Sequence, residues 1–418
     1  MCPSYRVTQE EEHSTRGRAR LLFEMLQGDV VSGWKDKNVK NALDLCLSCK
    51  GCKGDCPVNV DMATYKAEFL SHYYKGRLRP RTAYAMGLIY WWGRIASVAP
   101  RVANFFTQTR GLSRIGKWIM GVAPQRKIPA FATQTFKKWF ARRRGPAYYR
   151  PLGDRLQPGE RPRVILWADT FNNNFFPETL KAAVTVLEAA GFTVAVPGAS
   201  LCCGRPLYDY GMLKTAKKLL RKILNTLRED IRNGTPVVGL EPSCVAVFRD
   251  ELTNLFPTDK DALRLKTQTF TLAEFLQKKA PQFRPPEIVH EALVHGHCHQ
   301  KAIMKMDAEK DLFKKMKLNF KIIDSGCCGM AGSFGYENGT HYDVSVQAGE
   351  LVLLPAVRAA SRDAFIIADG FSCREQIIQQ TDRKPLHTAE VLQLALHQGQ
   401  TSLIATAEPK KEISQQKD

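Results

Sequence analysis

The chain has 418 residues, enough for two to four domains, and is 44% hydrophobic and 24% charged with no low-complexity tract. Its 61 Lys and Arg against 41 Asp and Glu give a formal charge of +20, which calls for a negatively charged partner: nucleic acid, an anionic membrane surface or an acidic protein. Twelve cysteines in vicinal and x2-spaced groups argue against a secreted disulfide scaffold and for metal in a reducing cytoplasm, in keeping with a start, Met-Cys-Pro-Ser-Tyr-Arg, that lacks an apolar signal run.

Thr15 to Gln27 sets Ala19, Leu21, Leu22, Met25 and Leu26 among arginines and ends at Gly28, the pattern of an amphipathic helix. Leu43-Asp44-Leu45 then leads into C-L-S-C-K-G-C-K-G-D-C-P, and Met62 to Tyr74 reads as helix again. Cys46, Cys49 and Cys52 on a tight loop can reach three corners of one [4Fe–4S] cube, so the fourth ligand must come from elsewhere. Cys2 has the matching Cys-Pro context and reads as that ligand. In two-cluster ferredoxins the cysteine before the proline serves the other cluster. Cys56 is therefore expected to face a second cluster whose remaining ligands would precede Cys2, the expectation being that this chain is a piece of a longer whole, either a separately encoded half or a polypeptide that starts further upstream. A structural zinc site would favour two C-x2-C pairs over this triplet. Arg16, Arg18 and Arg20 are expected beside the cluster, where positive charge favours the reduced state.

From residue 69 to 153 there are seventeen Lys or Arg and no Asp or Glu, with Trp91, Trp92, Phe105, Phe106, Trp118, Phe131, Phe136, Trp139 and Phe140 interleaved. Pro100, Pro124 and Pro129 divide it into short helices. Mixed aromatics and cations suit an anionic membrane interface; a solvated basic linker is the plainer alternative. No recognisable nucleic-acid module surrounds these residues, so nucleic acid is not expected as a partner. The longest uncharged stretch here, Thr82 to Gly93, falls well short of the ~20 residues of a spanning helix.

The remainder reads as an internal repeat. Strand-like Val164 to Trp167, Phe192 to Val196 and Val237 to Leu240 lead to Cys202-Cys203-Gly204 and Cys244, with a helix from Glu178 to Ala190. In the second copy Ala292 to His295, Phe320 to Ile323 and Phe365 to Ala368 lead to Cys298, Cys327-Cys328-Gly329 and Cys373. Strands alternating with helices imply parallel α/β layers, with the cysteines beyond the strands' carboxyl ends. The second copy offers four thiolates, Cys298, Cys327, Cys328 and Cys373, sufficient for a cluster or for zinc. The first offers three, Cys202, Cys203 and Cys244, with no cysteine in its Asp169 to Asn173 region. Three leave an open metal position, a nitrogen or oxygen ligand, or a site without metal. His295, His297 and His299 flank Cys298, and on an extended segment all three would line one side as ligands, relays or structural groups. Glu241, Arg205 and Arg374 stand near cysteines, either tuning charge or forming surface ion pairs.

The succession C-L-S-C-K-G-C-K-G-D-C-P-V-N-V-D, L-C-C-G-R-P-L-Y-D, L-E-P-S-C, H-G-H-C-H-Q-K, G-C-C-G-M-A-G-S-F-G-Y-E and A-D-G-F-S-C-R-E-Q resembles the iron–sulfur, carboxyl-terminal part of the bacterial FAD-linked D-2-hydroxyacid dehydrogenases, above all the D-2-hydroxyglutarate type. It is also similar to the iron–sulfur subunits of glycolate oxidase and anaerobic glycerol-3-phosphate dehydrogenase, and its Cys-Cys-Gly modules to those of heterodisulfide reductase. The resemblance implies an FAD-binding dehydrogenase domain or subunit elsewhere, because no Gly-rich dinucleotide fingerprint is present in this sequence. Two departures bear on metal occupancy: neither copy has the paired C-x2-C ending of the heterodisulfide reductase type, and the first lacks a leading cysteine.

The expected fold is thus an α-helical ferredoxin-type [4Fe–4S] domain followed by a tandem α/β repeat. The boundaries are 1–78 for the ferredoxin-like domain, 79–158 for the basic aromatic segment, 159–285 and 286–400 for the two Cys-Cys-Gly domains, and 401–418 for a flexible tail. The expected function is electron transfer from flavin to a quinone-type acceptor, peripheral on the cytoplasmic face of the membrane, with no catalytic residue assigned. Cofactors are a [4Fe–4S] cluster and, in the Cys-Cys-Gly region, a second cluster or zinc. The alternatives are a heterodisulfide- or quinone-reductase-like subunit with catalytic Cys-Cys-Gly centres, and a zinc-binding interaction scaffold.

Overall fold

A computed structural model describes residues 2–28, 31, 33–144 and 161–407; residues 145–158 of the expected basic segment and 408–418 of the expected tail lie outside them. The chain is mostly helical, with two small parallel sheets. The first sheet has strands β1 (Arg163–Trp167), β2 (Thr193–Ala195), β3 (Val237–Gly239) and β4 (Thr269–Phe270) in the order β2-β1-β3-β4. The second has β5 (Glu291–Val294), β6 (Asn319–Ile322) and β7 (Phe365–Ile367) in the order β6-β5-β7. Every strand pair named is parallel.

Strand β1 is apolar on both faces because helices cover both sides of a parallel sheet. Val164 and Leu166 point into one core cluster and Ile165 and Trp167 into another, the two-residue alternation of a strand. The first cluster continues through Val294 and Ile367 of the second sheet and ends on Val391 and Leu392 of the last helix, Thr388–Ala407. That helix packs against Pro177–Ala189 of the first sheet, so the two sheets share one core. It also runs seven residues past position 400, where the tail was expected to begin.

The amino-terminal part is a helical layer built on the Thr15–Gln27, Lys37–Asp44 and Met62–Tyr73 helices. Ser14 and Asp36 accept from the free amides of the first two, and Gly28 (φ 80) closes the first in the left-handed region. Met25, Val39, Leu43, Met62 and Phe69 fill the space between them.

Between the helical layer and β1 run the helices Ile89–Ala96, Pro100–Gln108, Arg110–Met120 and Phe136–Arg144. Pro100 opens a helix at its first turn rather than breaking one, where its missing N–H costs nothing. Several expected surface groups are interior: Phe136 and Phe140 join the core, and Arg126 is buried, donating to the Gly335 carbonyl and the Ser345 hydroxyl. Lys137 donates to the carbonyls of Pro197 and Ala199 at 2.7 Å each. Exposed apolar side chains concentrate instead between residues 92 and 119, where Trp92, Ile95, Val98, Phe105, Ile115 and Trp118 face outward. No helix among the described residues is long and apolar enough to cross a membrane.

Candidate iron–sulfur centre and adjoining cavity

After the Lys37–Asp44 helix the chain enters the cysteine loop, with Ser48 (φ 51) and Lys50 (φ 59) both left-handed. Such conformations in non-glycine residues cost on the order of 1 kcal/mol and persist where the surroundings over-determine them. The surroundings here are specific. The Ser48 carbonyl accepts from Arg205 Nη2 and His299 Nε2, each at 2.9 Å. Lys50 is buried, its ammonium 2.7 Å from Asp61 and from Asp250 and 3.3 Å from Glu251.

This turn directs Cys46, Cys49 and Cys52 into a cavity of about 330 Å³, and Cys2 reaches the same cavity from the head of the Pro3–Thr8 helix. Cys56 is not among its lining residues. Of the three arginines expected here, only Arg18 arrives: it is buried and donates from Nη1 to Cys2 Sγ at 3.0 Å. Arg16 and Arg20 stay at the surface, paired with Glu11 and Glu24. Burial pushes the Cys2 thiol up, but the Arg18 charge and the Ser4 hydroxyl outweigh it and hold it below its usual range. Burial raises Cys49, further than usual because Cys298 and Cys2 stand close, and takes Cys52 to about 11. Four thiols on one cavity, one of them held by a buried guanidinium, are a donor set that fits a [4Fe–4S] cluster.

Cys298 and Cys327 line that cavity as well. They begin a contiguous group in which the Cys327 thiol interacts with Cys298 and Cys328, and Cys328 with Cys373. The ligating atoms of Cys328, Cys373 and His295 lie within 4.8 Å of one another. The Cys327 thiol pulls Cys298 down to about 6 against burial, and the thiols of Cys327 and Cys373 do the same for Cys328. Gly329 (φ 87) is needed here, since a Cβ would meet the Ser345 carbonyl oxygen at 2.0 Å.

In the first copy Cys203 Sγ lies 3.0 Å from Cys244 Sγ, and Cys202 is hydrogen-bonded to Cys203. Asp169, one turn beyond β1 where the second sheet has Cys298, accepts from the amides of Phe171 and Asn172 and from Asn172 Nδ2. Its carboxylate is thus spent on capping the Thr170–Asn174 helix. The Cys203 bond lowers Cys244, but burial and the nearby carboxylates of Asp169 and Glu241 raise it to about 11. Cys202 and Cys203 are raised too, as Cys327 and Cys373 are in the second group.

The three histidines do not line one side. Strand β5 ends at Val294 and the chain coils after it, which breaks the alternation. His295 joins Cys328 and Cys373, whereas His297 and His299 line a second cavity between the sheets. Glu241, Arg205 and Arg374 are buried bridges rather than surface pairs. Glu241 caps the helix carrying Cys244 and accepts the Phe371 amide of the helix carrying Cys373 at 2.8 Å. Arg374 answers from the second sheet, donating to Asn172 at 2.6 Å and Thr179 at 2.9 Å. Arg205 pairs with Glu251 and Asp209.

Sequence reasoning missed Ser48, Lys50 and its three carboxylates, and the phenylalanines of the second cavity. Most depend on contacts across 150 residues or more of chain, with Lys50–Asp61 and the Phe131–Phe175 pair as nearer ones, and no local spacing announces them.

Comparison with known proteins agrees with this geometry. Residues 1–60 match the family described as 4Fe-4S dicluster domain, and residues 169–249 match the family described as Cysteine-rich domain. The chain is 26% identical to D-2-hydroxyglutarate dehydrogenase of Pseudomonas putida over 94% of its length and 41% of the relative's. It is 24% identical to one of the subunits of anaerobic glycerol-3-phosphate dehydrogenase from Escherichia coli, over 73% of this chain and 74% of that one. Lactate utilization protein A of Bacillus velezensis is 27% identical over 55% of this chain and 98% of its own. The chain spans about two fifths of the length of the D-2-hydroxyglutarate dehydrogenases it matches. It carries a 4Fe–4S dicluster domain and a cysteine-rich domain, and it resembles the D-2-hydroxyglutarate dehydrogenases together with proteins of anaerobic glycerol-3-phosphate oxidation and lactate utilization.

Proposed function

We propose that the chain is the iron–sulfur electron-transfer module of an FAD-linked D-2-hydroxyacid dehydrogenase, carrying electrons from a flavin on an adjoining domain or partner subunit to a quinone-type acceptor. The observation that carries this reading is the cavity lined by Cys2, Cys46, Cys49 and Cys52 together with Cys298 and Cys327, which sets the ferredoxin-type loop directly against the second Cys-Cys-Gly group. Cys2, Cys46, Cys49 and Cys52 are the proposed ligands of the [4Fe–4S] cluster, with Cys56 turned towards the second cluster of the dicluster arrangement. Cys298, Cys327, Cys328 and Cys373 form the proposed second metal centre, and Cys202, Cys203 and Cys244 a poorer one. The matching orders β2-β1-β3 and β6-β5-β7 support a tandem repeat with divisions near 158 and 285.

The reading includes peripheral attachment to the cytoplasmic face of the membrane, where quinones dissolve. It is supported by the outward apolar side chains of residues 92–119 and by exposed Arg94, Arg101, Arg110 and Arg114 among them.

Anaerobic purification with iron, zinc and acid-labile sulfide analysis tests the reading. About four irons per chain correspond to one ferredoxin-type cluster and about eight to an additional Cys-Cys-Gly cluster. Zinc without sulfide would overturn it in favour of a scaffold.

A further inference from the structure

The second cavity lies where the loop and the two sheets meet, and electron transfer between cysteines makes no use of it. Its volume is about 130 Å³. An apolar cavity of about 150 Å³ holds one benzene ring; this one is slightly smaller and partly polar, which limits it to a single six-membered ring and excludes a fused pair. Its aromatic wall is Phe131, Phe171, Phe175 and Phe371. Phe171 stacks on Phe371 with centroids 4.6 Å apart and planes at 24°, and Phe131 meets Phe175 at 4.7 Å. These rings come from the basic segment and from both sheets, and they make one side of the cavity aromatic.

Polar groups converge from the other side. His297 Nδ1 accepts from the His299 amide at 3.1 Å, which leaves the proton of a neutral ring on Nε2. His299 Nε2 donates to the Ser48 carbonyl, which leaves Nδ1 as an acceptor, and that atom is buried without a partner. Arg205 Nε is also buried without a partner. His299 and Arg205 are 6% and 5% exposed, and both line the cavity. Unmet buried polar atoms are costly, and groups of this kind are met when a ligand arrives. Asp209 and Glu241 also line the cavity, but Asp209 pairs with Arg205 and Glu241 accepts from Ser243 and the Phe371 amide; the donor, acceptor and guanidinium left over around an aromatic wall match a ring whose carbonyl oxygens become hydroxyls. Cys49 and Cys298 complete the lining.

The cavity wall is tied to the exposed apolar face. Ile128 and Phe131 form part of the wall, and the Pro100–Gln108 helix holds both. Asn104 bonds the amide and the carbonyl of Phe131, each at 2.8 Å, and Gln108 donates to the Ile128 carbonyl at 2.9 Å. That helix carries exposed Val102, Phe105 and Phe106.

We propose that this cavity binds the ring of a quinone, with its alkyl tail running out along the apolar face of residues 92–119. The proposal rests on the electron-transfer function above, which supplies the reductant. The hydroxyacid gives up two electrons and two protons to become the 2-oxoacid; the quinone takes two electrons through the chain and two protons from solvent to become the hydroquinone.

The test is photolabelling of the full iron-loaded chain with an azido derivative of a decyl-substituted benzoquinone, followed by peptide mapping. Label is expected in the peptides containing Ile128–Phe131, Phe171–Phe175 or Phe371–Ser372. Excess unlabelled decylbenzoquinone should reduce it about fivefold and Ile128→Trp about tenfold, with iron content and the EPR signal showing that the variant is folded. Label confined to residues 92–119, or label in the cavity that the competitor does not reduce, would overturn the proposal whatever the variant does. Reoxidation of the dithionite-reduced chain by ferricyanide reads electron transfer alone. If that succeeds while the cavity stays unlabelled, the quinone site falls and the module stands; a chain that cannot be reduced and reoxidised overturns both.

Discussion

Arg18 donates from Nη1 to Cys2 Sγ across 3.0 Å while its Nε donates to the Ala42 carbonyl at 2.7 Å, so one side chain ties the first cysteine to the helix that precedes the other three. A buried cation bonded to a ligand sulfur stabilises the more negative, reduced cluster. Arg18→Met should therefore lower the midpoint potential by about 40 mV, taking such a bond as worth about 1 kcal/mol and 59 mV as a factor of ten for one electron. An EPR-monitored redox titration reads the shift, and an unchanged potential would show that Arg18 acts only as a strut.

The ligand assignment makes Cys2 and Cys56 unequal. Cys2→Ser should lower iron content or alter the reduced-cluster EPR signal as much as Cys46→Ser, because both thiols face the same cavity. Cys56→Ser should leave about the same iron in this chain. A loss from Cys56→Ser with none from Cys2→Ser would mean that Cys56, not Cys2, completes the local set.

Glu309 carries a pH dependence that has nothing to do with metal. It is buried and accepts from the Thr271 hydroxyl at 2.9 Å; burial pushes it up to about 7, with the carboxylates of Asp369 and Glu274 acting in the same direction. A carboxyl whose pKa is higher folded than unfolded favours folding fully below about 4.5, and that contribution is lost as pH rises through about 7. Between pH 5 and 8 the loss should approach 3 kcal/mol. In anaerobic urea denaturation Glu309→Gln should flatten this slope and be more stable than wild type at pH 8. A variant with the wild-type slope would assign the dependence to other groups.

Glu241 caps helices on both sheets, and Glu241→Ala removes both caps at once. At roughly 1 kcal/mol per cap, about 2 kcal/mol of stability should go, with the unfolding transition broadened as the sheets lose a shared bond. A loss under about 0.5 kcal/mol would show that neighbouring waters replace the carboxylate.

For the membrane, the four exposed arginines between 94 and 114 are worth about 4 kcal/mol near an anionic surface. The chain should co-sediment with anionic liposomes at low salt and be released at 1 M, where the Debye length is ~3 Å. Ile115→Asp together with Trp118→Asp, at positions 59% and 70% exposed, should weaken binding about tenfold. Binding to neither anionic nor neutral vesicles would make this face a docking surface for the flavin-bearing part.

Six of the seven strands were legible because each is a run of apolar or β-branched residues, five of them followed by a cysteine; β4 was not, being only Thr269 and Phe270. The cysteine groups were legible from spacing because a tight loop restricts which thiols can share one centre. Orientation was not. Alternation carried His295, His297 and His299 to one face only as long as the strand lasted, and it stops at Val294. Burial of Arg18, Arg126, Arg205 and Arg374 was invisible for a related reason: each is satisfied by carbonyls, hydroxyls or carboxylates remote in sequence, which composition counts as surplus charge.

The grip on Ser48 and Lys50 has a mechanical consequence. One carbonyl is held from both sheets, by Arg205 and by His299, and one ammonium is surrounded by carboxylates from the helical layer and from the first sheet. Pulling the loop away would strand a cation and its counter-charges inside protein, at a cost of about 3–5 kcal/mol. A diffusing ferredoxin docks and departs at every turnover; this loop has no such freedom. Cys49 and Cys298 keep a constant separation, so the chain is built as fixed wiring rather than as a shuttle.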